Sequence, residues 1–384
     1  MRVLLVHTIG RLGGAERSLL ELTAALRDQG VHVSAVVPNG WLREHLVAME
    51  VPTVSCPEVR PRRLTRGLGG LTALARLVPA AAAVTRFEHA IKPDIVHANN
   101  PAGLAAAILA RGKTPLVWHV RDLRLPPRAA WLAQRCAAVL AVSPAVEQTL
   151  AQSLPEKLRS RLTLVRNGIA IPPHQPERAA SARVSSRKTL NLPPNSVVVG
   201  MIANVVPWKR HDFLLETMAI LAARRPSSAL VVVGSDLFDE HPAYRRRLAD
   251  VCETEPLRGR VRWMEELDDP SRLLPALDVL AHPAIEEPFG RVLCEAMAFG
   301  VPVVASRSAG PADIVKDGVS GILMAPAATP AAWADALDAL LGDPARRRAM
   351  AEAGHVRVRQ AFDVRRTARE VSDVYARCAV RWTR

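Results

Sequence analysis

Two series of short, almost wholly apolar runs, each followed by a longer helix-like stretch, constrain this chain more than any other feature. In the first half RVLLVH (2–7), VHVSAVVP (31–38), DIVHAN (94–99), PLVWHV (115–120) and AVLAVS (138–143) are dominated by Val, Leu, Ile and Ala. SVVVGMIA (196–203), ALVVVGS (229–235), RVRWM (260–264), DVLAHP (278–283) and VPVVAS (301–306) repeat the pattern in the second. Strands without polar alternation are buried on both faces, as in a parallel sheet covered by crossover helices. AERSLLELTAALRDQG (15–30) reads as the first of those helices and ends on a glycine, a common helix stop. The expected fold class is therefore α/β, with two Rossmann-like doubly wound domains facing across a cleft and ligands at the carboxyl ends of the strands. Between the two series, IPPHQPERAASARVSSRK (171–188) carries Pro, Ser and charge with no apolar period and reads as a linker. The boundaries this suggests are 1–172, a linker at 173–190, a second domain at 191–354, and a basic helical segment at 355–384.

Composition narrows the function classes. A hydrophobic fraction of 49% supports globular cores and argues against disorder. The most apolar region, LGGLTALARLVPAAAAVTRF, is interrupted by Arg76 and Arg86 and falls short of the ~20 apolar residues a membrane span needs. The opening MRVLLVHTIGRLGG makes a poor signal peptide and a good first strand. Five scattered cysteines without a CxxC pair suit reduced thiols in a cytoplasmic protein, and eleven histidines show no HxxxH or HExxH spacing, so no metal is expected. Charge is distributed unevenly: residues 1–190 hold 26 Lys+Arg against 12 Asp+Glu, a balance of +14, while residues 191–384 hold 25 against 25. The basic half implies an anionic partner, unless the bias is only that of GC-rich codons. Aromatics are 4% and are not interleaved with the basic runs, so nucleic acid is not the expected partner.

The turn after the first strand, TIGRLGGAE, places glycines at Gly10, Gly13 and Gly14. This is not GxGxxG, and strand 31–37 is followed by Pro-Asn rather than an acidic residue for a ribose, so a nicotinamide site is excluded. No GxxxxGK[ST] occurs. Gly13 and Gly14 serve either as a plain tight turn or as a close backbone approach to a ligand at a helix start. In the second half, the loop after strand 196–203 carries Lys209, placed to neutralise a phosphate or simply to lie on the surface. EEPFGRVLCEAMAFGVPVVAS (286–306) holds two carboxylates, Glu287 and Glu295, around a Phe-Gly. Carboxylates are strong acceptors for the paired hydroxyls of a sugar or ribose. Backbone N–H groups near Phe289, Gly290 and Arg291 would face an anionic middle of the same ligand. Glu287 also reads as an ordinary helix-start acid. Glu295 lies among Val292, Leu293, Ala296 and Met297, where a bare carboxylate needs a partner.

Taken together, Glu287-Pro-Phe-Gly-(x)4-Glu295-Ala-Met-Ala-(x)-Gly300-Val-Pro-Val-Val-Ala resembles the E-x7-E signature of the retaining nucleotide-sugar glycosyltransferases of family 4, which have the GT-B fold. GPADIVKDGVSGILMAP (310–326) continues the likeness. PWKRHD (207–212) is similar to the family's phosphate-lysine loop, GGAE (13–16) to its first Gly-rich turn and VRNGI (165–169) to its Asn-Gly stretch. The resemblance implies a first, acceptor-binding domain, a second that binds the nucleotide sugar, and a C-terminal helix packed back on the first. It implies that Lys209 contacts the donor diphosphate, that Glu295 holds the ribose, and that Glu287 contacts hydroxyls of the transferred sugar. His119, in WHVRD, looks like the family's histidine beside that sugar; a polar residue closing a strand is the plainer reading. In one departure, the arginine the family usually carries five residues before the lysine is Asn204 here, which leaves Arg210 or a first-half cation to supply the second positive charge. In another, Glu265 stands where a glycine is common.

The implied reaction is hexosyl transfer from a nucleoside-diphosphate sugar to an acceptor hydroxyl with retained anomeric configuration, in glycan, glycolipid or glycosylated-metabolite synthesis, with no cofactor. Leaving-group stabilisation and positioning would carry the catalysis. RPRRLTRGLGGLTALARLV (60–78) could lie on an anionic membrane surface, giving a peripheral cytoplasmic enzyme. An epimerase or phosphorylase on the same architecture, a sugar-binding protein without turnover and a basic nucleic-acid-binding protein are the alternatives.

Overall fold

The computed structural model of the chain describes residues 1–60, 67–126, 128–173, 176–193, 195–265 and 269–382. They form two compact units, Met1–Ala170 with Asp363–Arg384, and Ile171–Phe362. Among the described residues the strands are β1 (Arg2–Val6), β2 (His32–Val37), β3 (Thr53–Ser55), β4 (Ile95–Ala98), β5 (Leu116–Val120), β6 (Ala138–Ala141), β7 (Leu162–Leu164), β8 (Val197–Ile202), β9 (Ser228–Val233), β10 (Val261–Met264), β11 (Val279–His282), β12 (Val303–Ser306) and β13 (Ile322–Met324).

The first unit holds a seven-stranded sheet of order β3-β2-β1-β4-β5-β6-β7, and the second a six-stranded sheet of order β10-β9-β8-β11-β12-β13. All pairings are parallel; β1 runs beside β4 with Val6 level with Ala98, and β8 beside β11 with Val199 level with Val279. In each sheet the strand order reverses once, between β1 and β4 and between β8 and β11. Loops there leave the sheet in opposite directions and open a crevice outside the carboxyl ends, where doubly wound sheets bind ligands.

Val, Ile and Leu fill both faces of the sheets, as the unbroken apolar runs require. Val3, Leu5, Val33 and Ala35 pack with Leu19, Leu22 and Leu26 of the helix Gly14–Asp28. Leu4, Val6 and Val96 face the other way, onto Ala80, Val84 and Ala102 of the helices Gly67–Ile91 and Pro101–Leu109. In the second unit Val199, Met201, Leu230 and Val232 pack on Leu214, Met218 and Leu221 and on Trp333, Leu337 and Leu340.

The C-terminal helix Val364–Trp382 belongs to the first unit. Its stripe Val364, Ala368, Val371, Val374 with Tyr375, and Cys378 follows the helical period and joins the core of β1 and the helix Gly14–Asp28. The crossing comes at Asp363 rather than at 355: the helix Pro344–Ala361 stays with the second unit, where His355 Nδ1 lies 2.9 Å from the carbonyl of Ala298.

Residues 176–189, within the stretch read above as a linker, are a helix of the second unit. Its hold is polar, which is why no apolar period marks it. Arg183 Nη2 and Arg187 Nη2 donate to the two oxygens of Asp278 at 2.7 and 2.9 Å, and Arg187 Nη1 donates to the carbonyl of Ser196 at 3.0 Å. Of the basic stretch 60–78, residues 61–66 lie outside the described residues, and 67–78 enter the helix Gly67–Ile91. Among the described residues, no helix is long and apolar enough to cross a membrane.

Candidate functional site

In the second unit the sequence-predicted residues gather beside the reversal between β8 and β11. After β8 the chain passes Asn204, which is exposed and whose side chain has no hydrogen bond among the described residues, and makes a short turn at Pro207–Lys209. Arg210 takes a left-handed conformation (φ 60°) and starts the helix His211–Arg224. Its guanidinium lies 3.8 Å from the centroid of Phe213 and has no ion pair among the described residues. The ammonium of Lys209 lies 4.2 Å from the ring centroid of Trp208 and forms an ion pair with Glu287.

Glu287 sits in the loop that follows β11 and is buried. Its Oε2 accepts from Lys209 Nζ and also from Nε2 of His282, the last residue of β11, at 3.0 Å. Burial pushes this carboxyl up, but Lys209 and the His282 hydrogen bond overcome that and hold it down at about 2. Burial, opposed by the hydrogen bond to Glu287 and assisted by Lys209, lowers His282 from its ordinary value, so the ring is a neutral donor at pH 7. Glu287 is therefore a fixed carboxylate rather than a helix-start acid in contact with solvent.

The loop from Glu287 to Gly290 is held from behind. The N–H of Gly310 donates to the carbonyl of Glu287 at 2.9 Å, and a Cβ at Gly310 would fall 2.1 Å from the carbonyl oxygen of Phe289. This contact explains the glycine of GPADIV. Phe289 is buried against Phe362, with ring centroids 5.9 Å apart. Gly290 (φ 100°) caps the helix Arg291–Ala298, and its carbonyl accepts from the N–H of Leu293 at 2.9 Å. Arg291 Nε donates to Glu295 Oε1 at 2.7 Å, supplying the partner that Glu295 needs among its apolar neighbours. Arg291 and Glu295 are thus paired one turn apart along this helix.

In the first unit, Gly13 is extended and caps the helix Gly14–Asp28, and a Cβ at Gly14 would meet nothing within 4 Å. The helix start is open to close approach. Behind it a ring of side chains ties together the strand ends. His7 Nε2 donates to Glu16 at 2.7 Å, and Asn99 Nδ2 donates to His7 Nδ1 at 3.4 Å. Asn99 Oδ1 accepts from Arg121 Nε at 2.6 Å, and Arg121 Nη1 donates to Asn167 Oδ1 at 3.1 Å. Asn167 Nδ2 closes the ring on Ser18 Oγ at 2.9 Å. Glu16 and Ser18 both belong to the helix that Gly13 caps.

His119, at the end of β5, is fully buried. Arg121 Nη2 lies 3.4 Å from its Nδ1, His97 packs edge-on to it at 5.2 Å, and its Nε2 has no hydrogen-bond partner among the described residues. Burial first, then Arg121 and His97, hold it well below its ordinary value, so it is neutral.

Sequence reasoning passed over His282, His7, Asn99, Arg121 and Asn167 as individuals. One signal was available: each is a polar residue at or just beyond the carboxyl end of an apolar strand, and Arg121 and Asn167 lie inside the quoted WHVRD and VRNGI. Among the described residues, no cluster of His, Cys, Asp and Glu could hold a metal ion.

Comparison with known proteins follows this division into two units. Residues 12–171 match the family model described as Glycosyltransferase Family 4, and residues 183–357 the model described as Glycosyl transferases group 1. A D-inositol 3-phosphate glycosyltransferase of Nocardioides is 28% identical over 409 aligned positions, covering 96% of this chain and 86% of that protein. The enzyme of the same name from Salinispora tropica is 37% identical over 206 residues, covering 51% of this chain and 41% of the relative's length. Among solved structures, Anabaena HepE in complex with UDP and glucose superposes with a TM-score of 0.81 at 26% identity, covering 98% of this chain and 99% of that one.

Proposed function

Because the chain belongs to glycosyltransferase family 4, we propose that it moves a hexosyl group from UDP-hexose to an acceptor hydroxyl with retention of configuration. The observation that carries this reading is the pair of fixed carboxylates around one helix start, Glu287 on Lys209 and His282, and Glu295 on Arg291. The likeness to a structure holding UDP and glucose supports the choice of base and sugar.

In this reading the donor diphosphate meets Lys209 and the N–H groups at Gly290 and Arg291, Glu295 accepts from the ribose, and Glu287 accepts from the sugar. As the bond from the anomeric carbon to the diphosphate breaks, negative charge grows on the leaving oxygen. A preplaced ammonium and helix-start dipoles stabilise that charge without reorganising. Asn204 contributes amide hydrogen bonds but no charge, so Lys209 is the chief cation of the second unit for this task. His119, buried and neutral, brings no charge to the transfer.

The first unit takes the acceptor. Its residues 1–170 and 363–384 hold 28 Lys+Arg against 14 Asp+Glu, a balance of +14 that suits an acceptor that carries a phosphate or sits on an anionic surface, and the D-inositol 3-phosphate enzymes among the relatives favour the phosphate. Thermal-shift measurements with UDP-, GDP-, ADP- and dTDP-sugars test the donor. UDP-glucose should raise the melting temperature most, since a ligand of the native state stabilises it by mass action. Stabilisation by another base and none by UDP would overturn the assignment.

A further inference from the structure

Glu287 takes both of its protein contacts on a single oxygen. Oε2 accepts from His282 Nε2 at 3.0 Å and from Lys209 Nζ, while Oε1 has no partner among the described residues. His282 is 1% exposed and closes β11, so the carboxylate is fixed from the strand side. We propose that His282 is a positioning residue for the transfer: it holds Oε2 of Glu287 so that Oε1 stays turned to a sugar hydroxyl of the donor when Lys209 is drawn to the diphosphate. This rests on the donor reading given above.

The two donors to Oε2 differ in what they can do when substrate arrives. Lys209 is a point charge on a flexible four-carbon stem and is already the partner of Glu287. A diphosphate offers it more negative charge than one carboxylate does, so its ammonium moves toward the ligand. The imidazole of His282 has two side-chain torsions, is packed at the end of a strand and cannot follow. With His282 in place the carboxylate keeps one fixed N–H donor as its ammonium partner is shared out. Without it, the carboxylate either follows Lys209, turning Oε1 away from the sugar, or is left buried with no fixed donor, which is costly. Sugar binding, rather than nucleotide binding, is the quantity that His282 protects.

Dissociation constants of the intact chain for UDP and for UDP-glucose decide the matter. His282→Leu removes the donor at similar bulk, and His282→Gln restores an N–H donor of similar reach. The leucine variant should bind UDP-glucose about tenfold more weakly while its UDP affinity changes less than about twofold, and the glutamine variant should recover most of the difference. Equal weakening of both ligands, with no recovery by glutamine, would mean a merely structural histidine and overturn the proposal. So would a leucine variant that keeps the wild-type ratio of the two constants. If the leucine variant does not fold, His282→Asn takes its place, since its shorter amide does not reach Oε2. A sugar-dependent loss with asparagine but not with glutamine upholds the proposal, and identical behaviour overturns it. A wild-type chain that binds neither ligand overturns the donor reading and this inference with it, whereas normal wild-type binding with an unchanged ratio in the variants overturns this inference alone.

Discussion

Arg291 and Glu295 meet one helical turn apart, Nε to Oε1 at 2.7 Å, and both side chains are largely buried. The pair makes Glu295 a prepared acceptor: its charge is already balanced before any ribose arrives. Glu295→Ala should therefore both weaken donor binding and leave Arg291 without its carboxylate. We expect UDP affinity to fall by at least about tenfold, with a loss of about 1–3 kcal/mol of folding stability. Calorimetric titration with UDP and urea unfolding check the two halves; unchanged UDP affinity would remove Glu295 from the ribose site.

Lys209→Ala should cost about 2–5 kcal/mol of transition-state stabilisation, or about 30- to several-thousand-fold in kcat/KM. Arginine at this position should restore only part, because a planar fork replaces a compact ammonium. Steady-state kinetics with UDP-glucose measure it, and near-wild-type turnover in the alanine variant would sink the diphosphate assignment.

Acid should erase part of the stability that Glu287 provides. Its carboxyl is held at about 2 in the folded chain, below its ordinary value of 4.5. A depressed carboxyl stabilises the fold above its unfolded value, and that contribution is lost as pH falls through the folded one. The gap in unfolding free energy between wild type and Glu287→Gln should accordingly be widest near pH 6 and narrow between pH 4.5 and 2. Denaturant titrations at pH 6, 4 and 3 measure the gap, and a constant value would show that Glu287 is not charged against Lys209.

Gly310→Ala tests the support of the donor loop. A Cβ there would fall 2.1 Å from the Phe289 carbonyl oxygen, closer than any real contact, so the loop from Glu287 to Gly290 must shift. Because the substitution adds no group that meets the ligand itself, a large fall in UDP-glucose affinity would trace to the displaced loop. Retained affinity would show that the loop accommodates the methyl group.

For the basic first half, co-sedimentation with vesicles rich in anionic lipid should be strong at low salt and weak at high salt. Binding that is indifferent to lipid charge would assign the excess of Lys and Arg to codon usage.

The parallel sheets were legible because buried strands such as VVVGMI (197–202) have no choice but to be apolar throughout, and the C-terminal helix because Val364, Ala368, Val371 and Tyr375 keep the helical period. The helix 176–189 was not, since Arg183 and Arg187 hold it through Asp278, a partner about ninety residues away that no local pattern announces. Glu287 and Glu295 stood out by their spacing around Phe-Gly. Their partners followed different rules. Arg291 is four residues from Glu295 and His282 five from Glu287, both in principle readable, whereas Lys209 reaches Glu287 only once β8 and β11 lie side by side. The ring from Glu16 to Ser18 through four other side chains is wholly a product of strand order.

The C-terminal helix carries a consequence for how the molecule is made. A ribosome delivers residues 171–362 before residues 364–382, yet the latter supply Val371, Val374 and Tyr375 to the core around β1. The unit that begins first is therefore the last to be completed, and the second unit has all of its own chain while the first still lacks a face. During that interval the apolar side of β1 and of the helix Gly14–Asp28 is uncovered, a window in which a chaperone has a defined surface to guard.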